Sequence, residues 1–588
     1  MNKLKIIIII LAAMLPAGLL AQKQTDPRTR EYISPQRIVW SGSPHLIRNA
    51  EYLLRPGNGQ ADLTNSHICV MKSDGGEHPA LLLDFGRELH GGLQIVTGMP
   101  SSHKPVRLRV RFGESASEAM CEIDGKNGAT NDHAVRDFEI TVPWLGVRET
   151  GNSGFRFVRI DLLDDNVELH LKEIRAVSIY RDLPYRGSFR CSDERLNEIW
   201  QTGAYTVHLC MQDYLWDGIK RDRLVWMGDM HPEVMTIGHV FGHTDIVPAS
   251  LDLARDITPL PNWMSGMYTY SLWWVVVQRD WFRFSGDMAY LEQQREYLTG
   301  LLKILLGRVD ENGFEKSGGG FLDWPSNANK PAMRAGTQAL MMMTMQAGSQ
   351  LCTYLGESAL AAECTACLER MIKVAPAVCD GYYKEAKAPG EPGSKQGTAL
   401  MVLSGMTDPV KANEEVLKVE GARGFSTFYG YYLLEAMARA GDYEGAMDMI
   451  RRFWGAMLDM GATTFWEDFN IDWLNEDVAP IDELVPEGKK DIHGDFGAYC
   501  YTGFRHSLCH GWASGPTAWL SRHVLGVEVL EPGCKVVRIV PHLGSLQWAE
   551  GTFPTPYGDI RISHKRMPDG KVVSEIDAPK GIKIIKNK

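Results

Sequence analysis

From about residue 36 to 185 apolar and polar side chains alternate with a period of two, as in KPVRLRVRFGE, RDFEITV, FRFVRIDLL and VELHLKEIRAVSIY, with Gly, Pro and Asn at the breaks. That period marks half-buried strands, and several short strands separated by turns predict an N-terminal β-sandwich domain over residues 22–187. The pattern changes at YRGSFRCSDERLNEIW, where Ser192 or Asp193 is placed to cap a helix whose apolar positions Leu196, Ile199, Trp200 and Val207 follow helical spacing. Helical patterns then recur, among them AYLEQQREYLTGLLKILLGR, ESALAAECTACLERMIKV and YEGAMDMIRRFWGAML, joined by loops rich in Gly, Pro, Trp and Asp. Paired helices across 188–525 predict a toroid of helical hairpins whose loops gather at one end to build a pocket. Alternation returns in GVEVLEPGCKVVRIVPHLGSLQWAEGTF and DIRISHKRMPDGKVVSEI, predicting a small C-terminal antiparallel β-domain over 526–588.

A chain of 588 residues exceeds what one hydrophobic core supports, in keeping with this three-part division. The net charge of −11 leaves no basic footprint, which argues against nucleic acid or an anionic membrane as partner and favours neutral substrates. Residues 1–21, MNKLKIIIIILAAMLPAGLLA, carry Lys3 and Lys5, then an uncharged run, then small residues before QKQTD. These features predict a signal peptide cleaved after Ala21 and a mature protein exported to the periplasm. No later run is apolar and charge-free for the roughly 20 residues a membrane helix needs. The eleven cysteines are scattered as buried thiols would be. Cys364 and Cys367 form a CxxC inside a helical pattern, without the second pair of ligands a zinc site requires.

The loops of the helical region carry the unusual combinations. Residues 217–229, DGIKRDRLVWMGD, crowd carboxylates and cations beside Trp226 and Met227. A solvated helix face would not need those apolar neighbours, whereas a structural ion-pair loop would accept them and remains a second reading. GGGFLDWPSNAN sets Asp323 beside Trp324, GATTFWEDFNIDW sets Glu467 between Trp466 and Asp468, and SLCHGWASGP contains His510 and Trp512. A glutamate flanked by Trp466 and Phe469 gains little from burial unless it is paired or used. His510 on its own reads more readily as a structural histidine. The aromatic run at 261–284, PNWMSGMYTYSLWWVVVQRDWFRF, reads as core with one tryptophan spared for a ligand. Carboxylates, indoles and a histidine converging on a pocket suit a sugar, whose ring faces pack on aromatics while its hydroxyls bond to charged groups. No Walker loop, HExxH or GxSxG is present, and SGGGF lacks the context of a dinucleotide site, so no cofactor is expected.

Taken in order, DGIKRDRLVWMGD, TTFWEDF and SLCHGWASGP resemble glycoside hydrolase family 78, the inverting α-L-rhamnosidases, especially the shorter bacterial and fungal members. The resemblance implies a β-sandwich, a central (α/α)6 barrel and a C-terminal β-domain. By position it makes Asp222 the general acid and Glu467 the general base, with Asp217, Arg221, Trp226, Asp229 and His510 around the bound rhamnose. Trp324, with Asp323 beside it, matches a stacking tryptophan. The implied substrate is a rhamnose-containing oligosaccharide or glycoside, hydrolysed without a catalytic metal; a structural calcium in an Asp-rich loop stays open. Hydrolysis of a related α-linked sugar such as L-lyxose or D-mannose is one alternative, and rhamnose binding without catalysis is another. Two departures stand out: Asp222 occupies a position where many members have Glu, and the segment between Glu467 and His510 is long enough to shape a different aglycone site. An acid at 222 must hold its proton, and Trp226, Asp217 and Asp229 are expected to raise its pKa. One of Arg221 and Arg223 is expected to face the sugar and the other the scaffold.

Overall fold

The computed structural model describes residues 26–123, 125, 127–385 and 393–586, so the expected signal peptide at 1–21 lies outside the described residues. The period-two region forms β1 (Arg28–Ile33), β2 (Arg37–Gly42), β3 (Ile47–Arg48), β4 (Cys69–Lys72), β5 (Ala80–Thr97), β6 (Val106–Gly113), β7 (Asp137–Val142), β8 (Gly146–Leu162) and β9 (Glu168–Arg181). In β6 the alternation is direct: Val106, Leu108 and Val110 are buried, whereas Arg107 is exposed and Arg109 half-buried.

A sandwich predicts two sheets, yet these nine strands form one hydrogen-bonded sheet in the order β3-β4-β9-β5-β8-β6-β7, with β1 added to β9 and β2 to β5. The reason is strand length. β5 and β8 span 18 and 17 residues, and the pairing register of β5 on β8 shifts twice, between Asp84 and Leu89 and between Gly91 and Leu93. Such irregularities bend a strand so that it serves both halves of a layered fold. Gly91 sits at one of them with φ 143°, where a Cβ would come within 2.0 Å of the Val177 carbonyl. Leu83, Phe85, Val110, Phe155 and Ile174, from five places along the sheet, meet in one core.

Asp193 caps the first long helix, Glu194–Cys210, by accepting the N–H groups of Arg195 and Leu196. The helices Met230–Val240, Tyr268–Ser285, Lys330–Tyr354, Gly430–Arg439 and Tyr443–Asp459 share a second, larger core with it. Most of the aromatic run, from residue 268 on, lies in helix Tyr268–Ser285, and Trp273, Trp274 and Trp281 are each at most 1% exposed. The tryptophans of that helix are therefore core, and Trp263, which precedes it, is the partly buried one of the run. Cys364 and Cys367 are buried, unpaired thiols in helix Ser358–Glu385.

The C-terminal strands also depart from expectation. β10 (Ser188–Cys191), assigned by pattern to the helical region, pairs with β15 (Trp548–Thr555) in a four-stranded sheet completed by β16 (Gly558–Arg566) and β17 (Val572–Asp577). Four residues are too few to reveal a period, and the helix cap that follows masks the strand. A three-stranded sheet of β13 (Val527–Val529), β14 (Val536–Ile539) and β18 (Lys583–Lys586) is mixed, since β14 and β18 run parallel. The domain is thus not purely antiparallel. Two short strands, β11 (Val478–Ala479) and β12 (Lys490–Asp491), pair within the long segment between Glu467 and His510. Among the described residues no helix is long and apolar enough to cross a membrane.

Candidate active site

The loop at 217–229 links helix Glu194–Cys210 to helix Met230–Val240, and Asp217 folds it on itself. Its buried carboxylate accepts the backbone N–H of Leu224 at 2.8 Å and of Asp222 at 3.1 Å. Arg223 turns the chain with φ 64°, and its guanidinium binds Asn152 of the β-domain and lies over Trp216. It is the scaffold arginine. Arg221 instead points back across the loop: Nη1 donates to the Arg505 carbonyl at 3.2 Å, and Nε stands 3.3 Å from Asp222.

Asp222 is the carboxylate open to solvent, with its side chain 20% exposed against 2% for Asp217 and Glu467 and 4% for Asp229. One of its oxygens accepts from Trp226 Nε1 at 3.2 Å, and the other faces Arg221 and His133. Asp217 spends its carboxylate on loop backbone, and Asp229 faces His510 and Tyr270.

The segment around His510 closes on this loop. Gly511 N–H donates to the Asp217 carbonyl at 2.7 Å, His510 N–H to the Phe465 carbonyl at 2.9 Å, and Glu467 N–H to the Ser507 carbonyl at 2.9 Å. These bonds gather three carboxylates about one imidazole: His510 Nε2 lies 3.6 Å from Asp217, 3.6 Å from Glu467 and 3.9 Å from Asp229. Burial works against a charged His510, but the Asp217, Glu467 and Asp229 carboxylates outweigh it and lift its pKa to about 9. Burial raises Glu467 to about 7 against the pull of His510, Arg221 and the Ser507 N–H. Burial also carries Asp229 well above the ordinary carboxylate range, although Tyr270 donates its hydroxyl at 3.2 Å.

Asp323 and Trp324 join the same centre from another loop. The Asp323 carboxylate accepts the Trp324 N–H and the Ser426 hydroxyl, and burial lifts its pKa to about 7. Trp324 stacks on Tyr499 and donates Nε1 to the Tyr501 hydroxyl at 3.0 Å. A small pocket is lined by Asp323, Trp324, Glu467, Tyr499, Tyr501 and Trp512. All nine residues singled out in the sequence thus fall in one neighbourhood. A larger cavity elsewhere contains none of them, and among its acids Asp280 is paired with Arg279 and Glu435 with Arg522.

Sequence reasoning missed Lys220. Its ammonium lies 2.9 Å from Glu114 and 3.1 Å from Glu118, both from the N-terminal domain, and donates to the carbonyls of Phe504 and His506. Glu114 also accepts the Leu508 N–H at 2.6 Å, and the neighbouring Ser507 N–H donates to Glu467 at 2.9 Å. One buried network therefore fixes both loops to the β-domain. Glu114, Glu118 and His493 are close enough to hold a metal, but the Lys220 ammonium already stands against both carboxylates.

Comparison with known proteins is decisive over the helical region. The profile of the bacterial alpha-L-rhamnosidase 6 hairpin glycosidase domain matches residues 184–524, more than half of the chain. The chain belongs to this family, glycoside hydrolase family 78. The bacterial alpha-L-rhamnosidase C-terminal domain matches 526–585. An alpha-L-rhamnosidase of Formosa agariphila is 21% identical over 518 residues, covering 80% of this chain and 52% of the relative, so the chain spans about half the length of that protein. The fold resembles that of the family 78 rhamnosidase of Bacillus sp. GL1, with a TM-score of 0.72, 24% identity and coverage of 91% of this chain and 55% of the other. It also resembles the Klebsiella oxytoca rhamnosidase solved with rhamnose bound, with a TM-score of 0.64, 20% identity and coverage of 84% and 96%.

Proposed function

We propose that this protein removes terminal α-L-rhamnose from glycans or glycosides by inverting acid/base hydrolysis, in a helical core arranged as an (α/α)6 barrel, after export directed by residues 1–21. The observation that carries the reading is the convergence of Glu467, Asp217 and Asp229 on His510, next to a solvent-facing Asp222 in a chain of this family. Asp222 protonates the glycosidic oxygen. Glu467, anchored by the Ser507 N–H, takes a proton from the water that attacks the opposite ring face. A base works best with a pKa near the working pH, and Glu467 at about 7 meets that requirement. The His510 imidazolium lets buried carboxylates coexist beside an oxocarbenium-like centre. Asp217, Arg221, Trp226, Asp229, Asp323 and Trp324 hold the sugar through hydroxyl contacts and ring packing.

The test is release of rhamnose from an aryl α-L-rhamnoside and from rhamnose-capped oligosaccharides. Turnover of L-lyxosides or D-mannosides in preference would move the assignment to a related sugar. Binding of rhamnose with no turnover over days would leave a binding protein. One observation favours a second mechanism: the elevated pKa of Glu467 and the N–H donors around Asp222 suit exchanged roles, with Glu467 as acid and Asp222 as base. The leaving-group dependence of the two single variants separates the two assignments.

A further inference from the structure

The solvent-facing side of Asp222 is not built from the helical domain alone. His133, on the loop between β6 and β7 of the N-terminal domain, places Nε2 3.4 Å from Asp222 Oδ1 and is itself 28% exposed at the side chain. The loop is held rather than draped. Asn131 accepts the N–H groups of Arg136 and Asp137 and donates to the Asp137 carbonyl, Ala129 is buried, and Arg136 donates to the Phe112 and Glu118 carbonyls. Asn127 accepts the Phe504 N–H at 2.8 Å, tying the loop to the segment that ends in Arg505.

Arg505 completes the rim. Its Nη1 lies 3.7 Å from Asp132, and its buried Nε has no hydrogen-bond partner. Asp132 accepts the Thr130 hydroxyl and the His133 N–H, so it also fixes the histidine. Burial would raise the Asp132 carboxyl, yet the Thr130 hydrogen bond and the charges of His133, Arg505 and Arg221 hold it below the usual carboxylate range. The rings at hand are engaged: Arg221 lies over Tyr501, and Trp226 meets Tyr270 edge-on. This rim offers N–H donors and a carboxylate, the groups that suit hydroxyls.

We propose that His133, Asp132 and Arg505 form a subsite for the leaving group, selective for a hydroxylated sugar over a flat aromatic aglycone, with His133 Nε2 bonding a hydroxyl of the departing residue. The proposal rests on Asp222 as the acid, because the leaving oxygen must then come to the solvent-facing Asp222 carboxyl that His133 borders. An ion pair with Asp132 at 3.6 Å is the purely structural alternative for His133, and it predicts no dependence on the leaving group.

Steady-state kinetics on an α-L-rhamnosyl-glucose disaccharide and on 2,4-dinitrophenyl α-L-rhamnoside decide between them, with His133→Ala, His133→Gln and Arg505→Met compared with the full-length parent. Loss of one such hydrogen bond is expected to lower kcat/KM on the disaccharide about tenfold in His133→Ala. The dinitrophenyl substrate should fall less than about threefold, since its leaving group needs neither the hydroxyl contact nor strong acid assistance. His133→Gln, which keeps a donor, should recover part of the loss, and Arg505→Met should show the same selectivity. Melting temperatures check that each variant folds. Equal losses on both substrates, or none on the disaccharide, overturn this subsite while leaving the hydrolase reading intact. A parent protein inert on both substrates overturns both.

Discussion

His510 Nε2 stands 3.6 Å from Glu467 Oε1, inside a ring of three buried carboxylates. The pair sets the pH range in which the proposed base works. Glu467 acts ionised, and its raised pKa places the rising limb of kcat/KM at about 7, while the falling limb belongs to the general acid, which must keep its proton. His510→Gln removes the cation that favours the ionised carboxylate, so the acid limb should move to higher pH. A pH profile of kcat/KM checks this, and an unmoved limb would refute the coupling.

Asp222→Asn and Glu467→Gln should each lower turnover on a rhamnosyl disaccharide by roughly 10²–10⁴-fold, the range for a positioned proton-transfer group. With an activated aryl rhamnoside the first variant should recover much of its rate and the second little, because only the acid assists departure. The opposite pattern would exchange the two roles.

Lys220 is the only cation set against both Glu114 and Glu118 at the 217–229 loop among the described residues. Removing one partner of a buried ionic network costs about 3–5 kcal/mol. Lys220→Met should therefore lower the melting temperature markedly and reduce activity through displaced loops, with partial recovery in Lys220→Met combined with Glu114→Gln. Calorimetry reads the shift; a variant that melts with the parent would mean that the network does not anchor the site.

How much of this was legible in the sequence follows from the range of the interactions. Asp323, Glu467 and Asp217 sit among aromatics within a few positions, so the mismatch between charge and apolar context is local and readable. Asp193 was readable as a cap for the same reason. Lys220 reaches a carboxylate 102 positions away, and nothing near it announces that partner. His133 lies in a polar stretch, CEIDGKNGATNDH, that reads as any surface loop. Trp273, Trp274 and Trp281 show the converse: aromatic density alone does not separate a ligand platform from a packed helix. β5 and β8 bend across both halves of the N-terminal domain, a feature of tertiary register that period-two patterning does not carry.

Dialysis against EDTA should leave activity and melting temperature unchanged, since the one described group of potential metal ligands holds an ammonium between its two carboxylates. Activity lost in chelator and restored by a divalent ion would contradict the mechanism of acid, base and water.

The stereochemistry of the first product tests the central claim most directly. If a water enters between the sugar and Glu467 while Asp222 protonates the leaving oxygen, the carboxyl groups stand about 6.5–9.5 Å apart in the working complex, rather than the roughly 5–5.5 Å of a retaining pair. Proton NMR during hydrolysis of an aryl α-L-rhamnoside should then show β-L-rhamnose first and the α-anomer only as mutarotation proceeds. Initial appearance of α-L-rhamnose would contradict the inverting mechanism and the assignment of Asp222 and Glu467 to it.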